Sequence, residues 1–322
     1  MRKTVALIAV LASALPVVAG NPEVRIAKYR DGKAAAVSFT YDDGIIDHYT
    51  LVAPHLEKAG MRGTFWIIGE GVSDNGLSWD MLKEMSDKGH EISNHTWSHK
   101  RLTELSDEEL SFEIHALDDT IEAHTGKRPK TIAFPFNAYD ERVLAEAAKG
   151  RVGMRLYQTG QGQGRSSGKG SRYSTLEDMK AWLQEQIDGE KWGVTMTHGI
   201  NVGWDTWEDP QVYWDFISYC KKCSGKVWFG TFEEVASYVA ERDACTLSIE
   251  QRGRKTIVTP TCTLDPELYK EPLTLEVKVD GVTRYVDIDP FEEECTIICN
   301  DQSMIERHIG DGYKSRRKTV WR

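Results

Sequence analysis

Two short runs in the first third of the chain carry side chains that can bind a metal ion together. Residues 41–44 read Tyr-Asp-Asp-Gly, and residues 95–99 read His-Thr-Trp-Ser-His. The apolar, partly β-branched residues 34–40 predict a buried strand that ends at the two aspartates. Because successive side chains of a strand point to opposite sides, one aspartate can ligate a metal while the other faces a different partner.

The two histidines of the second run, His95 and His99, are four residues apart. This spacing places both on one helix face or brings them together in a turn. Two imidazoles and one carboxylate with open positions form the ligand set of a catalytic metal, commonly zinc. Either run alone also fits a strand-end turn with unrelated surface histidines, since the chain has 9 histidines. Both runs in this order, each at the end of a predicted strand, favour a divalent metal site, and we expect Zn²⁺.

Composition limits the possible partners. The chain has 322 residues, of which 40% are hydrophobic and 28% charged, as in an ordinary globular protein. Its formal net charge of −10 argues against nucleic acid as a partner, because phosphate binding needs a basic face. The short basic tail at 311–322 is interpreted as a solvated terminus. No protein partner is inferred.

The N-terminus has the pattern of a secretory signal. Arg2 and Lys3 precede an apolar run at 5–15, and small residues lead up to Gly20. We predict a signal peptide over 1–19 and a secreted or periplasmic protein after cleavage. The apolar run is too short for a convincing membrane span. Export would suit disulfides among the six cysteines, for which the sequence leaves 15 pairings open: Cys220, Cys223, Cys245, Cys262, Cys295 and Cys299.

Strand-like and helix-like segments alternate over 20–242, which predicts an α/β fold with a parallel sheet closed, or nearly closed, into a barrel. Function in such barrels lies at the carboxyl ends of the strands. Capping boxes predict helix starts at Ser106 and Thr231. The seven predicted strands cover 35–40, 63–68, 91–93, 131–134, 153–157, 193–197 and 226–229.

The last part of the chain has the period-two alternation of an all-β module. We place this small C-terminal module at 243–310, with a hairpin turn at Asp280 and Gly281. A packing or spacer role is expected, and carbohydrate binding is the alternative. The Gly- and Ser-rich residues 160–171 are predicted to form a loop, either over the site or as a mere connection.

At the two motifs the chain resembles the polysaccharide deacetylases of carbohydrate esterase family 4, over roughly residues 34–242. The resemblance implies a distorted (β/α)7 barrel. It implies that Asp43, His95 and His99 bind the metal and that Asp42 is the general base. It also implies that His198, which ends the apolar run 194–196, is the general acid.

The resemblance further places the oxyanion donor at the backbone N–H of Phe136, after Pro135, which we count among the substrate-binding residues. Trp204 and Trp207 follow His198, and exported aromatics there suit stacking on sugar rings. Packing against the barrel rim is the alternative for both tryptophans. Asp47 and His48, in the first helix, are assigned to solvent or capping.

One position departs from the family pattern. The family has an arginine shortly before the motif proline, where it pairs with the catalytic base, and this chain has Ala133 there. Without a nearby cation the pKa of Asp42 would rise, unless another arginine substitutes. Arg155 and Arg172 are the candidates. No clear acidic partner for His198 is found.

These observations predict a secreted, metal-dependent deacetylase acting on an acetylated polysaccharide or oligosaccharide. O-acetyl esters of a plant polymer such as acetylated xylan are favoured, since ester cleavage demands less of the acid. The alternatives are an N-deacetylase of N-acetylglucosamine polymers (chitin oligomers or peptidoglycan) and a catalytically weak carbohydrate-binding relative. A hydrolase of another carbon–nitrogen bond on a small molecule is a third class.

Overall fold

Seven parallel strands form the core of the protein. The computed structural model describes residues 22–156, 175–203, 206–253 and 255–291, and the backbone of Cys295–Cys299 and Ile305–Ile309. All seven strands expected from the sequence are confirmed, with ends that differ by a few residues. They are β2 Ala35–Tyr41, β3 Gly63–Ile67, β4 Glu91–Asn94, β5 Thr131–Ala133, β6 Gly153–Arg155, β7 Trp192–Val194 and β8 Val227–Phe229.

The parallel sheet runs in the order β6-β5-β4-β3-β2-β7, and β8 also pairs with β2. Every residue of β2 and β3 is buried, because helices cover one face of the sheet and the barrel interior lies on the other. β8 pairs with β2 at Ala35–Val37 and β3 pairs with it from Phe39 onward, so the two share one edge of the same strand. The fold is the distorted (β/α)7 barrel that the sequence predicts.

Helices alternate with these strands, and polar side chains fix where they begin. Both predicted capping boxes are present, with Ser106 paired to Glu109 and Thr231 paired to Glu234. The α-helices of the described residues are α1 Ala53–Ala59, α2 Trp79–Asp87, α3 Asp107–Thr125, α4 Glu141–Ala147, α5 Leu176–Asp188, α6 Pro210–Cys223 and α7 Phe232–Ala244.

The start of α7 fills the amino-terminal end of the barrel. Phe232 packs edge-on against Trp66 at a ring distance of 5.2 Å, and its N–H donates to the Thr64 hydroxyl. The Glu233 N–H donates to the buried Glu91 carboxylate at 2.9 Å. Thr64 and Glu91 lie at the starts of β3 and β4, and Gly153, which Phe232 approaches closely, starts β6. The opposite, carboxyl-terminal end of the barrel is left for a site.

The C-terminal part of the chain is built from antiparallel strands, as predicted. The Asp280–Gly281 turn has φ values of 48° and 79° and joins β11 to β12. The first strand of the described chain, β1, pairs with β11 rather than with the barrel. The strands are β1 Glu23–Ile26, β9 Cys245–Arg252, β10 Lys255–Cys262, β11 Leu273–Val279, β12 Val282–Ile288, β13 Cys295–Cys299 and β14 Ile305–Ile309.

This β part packs on the barrel through apolar side chains. Val277 and Val286 share a core cluster with Trp228 of β8 and Tyr238 of α7. The Tyr238 hydroxyl donates to the Ala27 carbonyl at 2.8 Å, which ties the N-terminal segment to the same cluster. The pairing of β1 with β11 places residues 23–26 with the C-terminal sheet, although the sequence assigned them to the barrel.

Several sequence-based expectations are not met or fall outside the described residues. Cys220, Cys223, Cys245 and Cys262 are free thiols, so these four described cysteines form no disulfide. Within the described ranges, no helix is both long and apolar enough to cross a membrane. The predicted signal peptide, the loop at 160–171 and the basic tail lie outside those ranges.

Candidate metal centre and active site

Three predicted metal ligands meet at the carboxyl end of the barrel. Asp43 follows β2, and His95 and His99 follow β4. The Nε2 atoms of His95 and His99 lie 3.4 and 3.6 Å from Asp43 Oδ1. One ligand atom from each residue lies within 4.8 Å of the others, which is the spacing of donors around one cation.

The hydrogen bonds of His95 show that this cluster fits a cation. Its Nδ1 lies 2.8 Å from the Ala133 carbonyl oxygen, which can only accept, so Nδ1 carries the proton. In the neutral ring, Nε2 then presents a lone pair toward Asp43 Oδ1. That oxygen is buried and has no hydrogen-bond partner. A divalent cation would satisfy both acceptors, and the imidazole–carboxylate donor set suits Zn²⁺.

The backbone is bent where the ligands are presented. Asp43, Thr96 and His99 have φ values of 74°, 70° and 55°, in the left-handed region that few non-glycine residues adopt. The second motif is therefore a turn, not a helix. Its bend is held by Asn94, whose Oδ1 accepts the Thr96 N–H at 2.7 Å, and by Glu113, whose Oε2 accepts the Ser98 N–H at 2.8 Å. Such strain is maintained at functional sites by surrounding contacts.

Asp42, the predicted general base, is buried and paired with Arg155. Arg155 Nη1 donates to Asp42 Oδ1 at 2.6 Å, and Nη2 donates to Oδ2. Nη1 also reaches Thr40 Oγ1 at 3.1 Å, and the guanidinium lies over the Trp66 ring at 4.2 Å. Burial alone would raise the pKa of Asp42, but the charge and hydrogen bonds of Arg155 overcome it and lower the pKa to about 2.

Arg155 therefore occupies the place of the arginine that the family carries near Ala133. In the parallel pairing of β5 with β6, Ala133 and Arg155 are register partners. Neighbours in register point to the same face of a sheet, so the guanidinium enters the barrel beside the vacated position. Arg172, the other candidate, lies outside the described residues. An arginine inside a predicted strand was the signal for this assignment.

His198, the predicted general acid, lies beside the metal ligands. It follows the bridge between Tyr41 and Thr197, and its Nε2 is 4.0 Å from Asp43 Oδ2. The side chain of His198 is 19% exposed, so the ring borders solvent rather than the core. The structure thus brings His198 to the same end of the barrel as Asp42 and Asp43.

Phe136 lies at the rim of the cluster. It is in left-handed backbone at φ 57°, directly after Pro135, and its ring is 55% exposed. The ring packs edge-on against His99 with centroids 4.7 Å apart, and Arg101 lies 4.8 Å over it. Pro135 is buried and begins a 3-10 turn, so it shapes this segment and does not present a face to substrate.

Of the two tryptophans predicted to bind sugar, the structure describes only Trp207. Trp204 lies outside the described residues. Trp207 is only 7% exposed and packs against Tyr213 with ring centroids 5.1 Å apart. Its burial in the core contradicts a stacking role, and rim packing, the alternative, describes it.

Asp47 and His48 were assigned to solvent or capping, and the solvent assignment is wrong. Asp47 is 5% exposed and His48 is fully buried. Both contact the segment that carries His198. Residues 45–53 are mostly apolar, and the charged residue and the histidine among them were the available signal of a buried polar role.

Comparison with known proteins agrees with these motifs. A family model described as polysaccharide deacetylase matches residues 29–155, which contain both motifs and Arg155. Chitin deacetylase 1 of Cryptococcus neoformans is 34% identical over 110 residues, covering 34% of this chain and 23% of that protein. The peptidoglycan-N-acetylmuramic acid deacetylase PdaA of Bacillus subtilis is 30% identical over 119 residues, covering 36% of this chain and 44% of that protein.

A longer match has lower identity. Gellan lyase of a Bacillus species is 25% identical over 313 residues, covering 84% of this chain but 12% of that protein. The chain therefore spans less than half the length of each of these three relatives.

Solved structures resemble the barrel loosely. The Xyl-CE4 domain of a multidomain xylanase from the hindgut metagenome of Trinervitermes trinervoides has a TM-score of 0.48 at 18% identity, covering 62% of this chain and 89% of that one. Peptidoglycan deacetylase PdaC from Bacillus subtilis has a TM-score of 0.47 at 19% identity, covering 67% and 96%. Residues 29–155 match the polysaccharide deacetylase family model, so this part of the chain is similar to that family.

Proposed function

We propose that this protein is a metal-dependent deacetylase that hydrolyses acetyl groups on a polysaccharide. One observation carries the proposal: a buried carboxylate, Asp42, lies next in sequence to a metal-ligand cluster but is held by Arg155 instead of joining it. A site that only binds a metal has no need of a second carboxylate kept ionised beside it. A hydrolytic site needs a base close to the water that attacks.

Each residue then has a chemical task. A divalent cation on Asp43, His95 and His99 would polarise the acetyl carbonyl and acidify a water molecule. Asp42 accepts a proton from the water as its oxygen bonds to the acetyl carbon. The backbone N–H of Phe136 is proposed to stabilise the developing oxyanion. His198 gives a proton to the sugar oxygen or nitrogen as the bond between that atom and the acetyl carbon breaks. The products are acetate and a sugar with a free hydroxyl or amino group.

Arg155 and two relatives support a proposal for the bond that is cleaved, the amide of an N-acetyl group or the ester of an O-acetyl group. The preference for O-acetyl esters depended on ester cleavage demanding less of the acid at a site without its usual supports, and Arg155 supplies one of those supports, the partner of the base. Two relatives are named for acting on N-acetylated polymers, chitin and peptidoglycan. We therefore propose N-acetyl groups of an aminosugar polymer as the first substrate class. O-acetyl esters such as acetylated xylan are the second.

The test is acetate release. Purified protein is incubated with N-acetylglucosamine oligomers and with acetylated xylan, as isolated, after chelation, and after Zn²⁺ is restored. The proposal expects release from at least one polymer, lost on chelation and recovered with the metal. Binding of sugar without release would support the non-catalytic relative instead. Turnover of small amides without any polymer would support the small-molecule hydrolase.

Export remains a proposal from the first 19 residues. It is supported by the charged start, the apolar run and the small residues before Gly20. Expression of the full chain in a bacterial host, followed by fractionation and N-terminal sequencing, tests it. A mature protein beginning at Gly20 outside the cytoplasm is expected, and an intact N-terminus in the cytoplasm would contradict it.

A further inference from the structure

We propose that Asp47 and His48 form a clamp that positions the His198 loop, residues 198–202, for proton transfer to the leaving group. The inference rests on the proposed role of His198 as general acid. Within the part of the chain that the structure describes, no hydrogen bond or ion pair joins Asp47 or His48 to the metal ligands, and both residues bind the loop instead, so they are positioning residues.

Asp47 binds the loop through one oxygen. Its Oδ2 accepts the backbone N–H groups of Ile200, Asn201 and Val202 at 3.1, 2.6 and 2.9 Å. Three successive N–H groups that converge on one point form an anion-binding nest. A charged, buried acceptor is satisfied by several N–H donors, which makes these bonds stronger than neutral ones.

His48 binds the residue that is expected to move the proton. The Ile45 N–H donates to His48 Nδ1 at 3.3 Å, so the proton of the ring is on Nε2. Nε2 then donates to the His198 carbonyl oxygen at 2.8 Å. Tyr41 and Phe65 stack on each other, and the His48 ring packs against both, with centroids 5.6 and 5.4 Å away. The donor is therefore fixed relative to β2 and β3.

The loop itself is tightly folded against the clamp. A Cβ on Gly199 would lie 1.6 Å from the Val202 carbonyl oxygen, so the turn requires glycine there. Ile200 is fully buried, and its carbonyl accepts the Trp207 N–H at 3.1 Å. His198 is thus the partly exposed end of a loop whose following residues are anchored. Loosening the anchors would misplace the imidazole without removing it.

The reaction itself provides a readout for this role. An acid is needed to expel a poor leaving group such as a sugar amine or alkoxide, but much less for an activated phenolate. A misplaced His198 should therefore slow deacetylation of N-acetylglucosamine oligomers far more than hydrolysis of 4-nitrophenyl acetate. A general loss of folding or metal would slow both reactions alike.

The variants follow from the two contacts. H48F keeps an aromatic ring packed against Tyr41 and Phe65 but removes the donor, whereas H48Q keeps an N–H donor. D47N keeps the size of the side chain but loses its charge. H90F is the matched control, because His90 is also buried and packs edge-on against Phe65 at 5.4 Å but does not contact the loop. H198A sets the full effect of losing the acid.

For H48F and D47N we expect kcat on the oligomer to fall about 10- to 100-fold, less than the roughly 10²- to 10⁴-fold contribution of a general acid, because the acid is misplaced and not removed. The loss on 4-nitrophenyl acetate should be at least about tenfold smaller. H48Q should recover most of the loss, and H90F should match wild type. Metal content and thermal unfolding are measured for each variant. If H48F fails to fold, the comparison is made with D47N.

The outcomes separate this inference from the proposed function. Equal losses on both substrates, or H48F and D47N that match H90F, would overturn the clamp while leaving the deacetylase intact. Wild-type protein that hydrolyses neither oligomer nor xylan would overturn the proposed function instead. An H198A variant with undiminished turnover would remove the role of the acid, and the clamp with it.

Discussion

Replacing Arg155 by methionine should leave the Asp42 carboxylate buried without its partner. In the intact pair the pKa of Asp42 is about 2, compared with 3.8 for a free aspartate, which corresponds to about 2 kcal/mol in favour of the ionised form. Removing one member of a buried pair costs about 3–5 kcal/mol. We therefore expect R155M to lose about 3–5 kcal/mol of unfolding free energy at pH 7.

The loss should depend on pH in a defined direction. In the wild type, the depressed pKa of Asp42 contributes stability above pH 3.8, and this contribution is lost as the pH falls toward 2. In R155M, burial raises the pKa of Asp42, so the carboxyl takes up a proton at higher pH. The stability difference between the two proteins should therefore be largest near pH 7 and shrink as the pH approaches 4.

The assay compares R155M with R151M. Arg151 and Asp118 form a second buried ion pair, 2.7 Å apart and 2% exposed on each side. Because Asp118 also accepts the Asn94 side-chain amide at 2.7 Å, metal content is measured in both variants. Unfolding by urea is followed in metal-free protein, because a bound metal would add stability of its own. Acetate release is measured with Zn²⁺ restored. Both variants should lose stability, but R155M should lose at least about tenfold more kcat/KM, because the base loses the bidentate hold on its carboxylate.

R155K adds a further check, since a lysine is a point charge that cannot bind both carboxylate oxygens in the same plane. It should restore part of the stability and less of the rate. Wild-type turnover in R155M, or equal losses of rate in R155M and R151M, would refute the pairing of Arg155 with the catalytic base.

Three further outcomes are expected. Burial, with the nearby charge of Glu233, raises the pKa of Glu91 from 4.5 to about 7, so the contribution of Glu91 to stability should fall as the pH rises between these values, and denaturation of E91Q should lack that contribution. Burial lowers the pKa of His48 from 6.5 to about 4, so stability should fall as the pH drops between these values, and titration of H48Q should lack that step. W207A should lose about 3–5 kcal/mol of stability in denaturant melts without an increase in KM for oligomers, because Trp207 is a core residue; an increased KM in the folded variant would restore its sugar-binding role.

Local patterns were enough to predict most of the fold. The continuous apolar run of β2 and the capping box at Ser106 each depend on residues close together in the chain, and both are confirmed. The hairpin at Asp280–Gly281 was predictable because a two-residue turn of this type needs positive φ at both positions. Pairing of β1 with β11 was not predictable, since 250 residues separate their starts and no local signal joins them.

Site residues were predictable where their role follows from residue type. Prediction failed where the role depends on how distant segments align. Asp43, His95 and His99 could be chosen because metal ligands are few in kind, and the structure brings them together. Arg155 could only be a candidate, because its place beside Ala133 depends on the alignment of β5 with β6. Asp47 was misassigned because its three donors lie more than 150 residues later in the chain.

The most direct test of the whole account is acetate release measured together with metal content in wild type, D42N and H95A. The account predicts that wild type binds about one equivalent of Zn²⁺ and releases acetate from an acetylated polymer. D42N should keep the metal and lose turnover, because Asp42 is paired with Arg155 and does not ligate. H95A should lose both. Turnover in D42N at full metal content, or metal binding unchanged in H95A, would contradict the account.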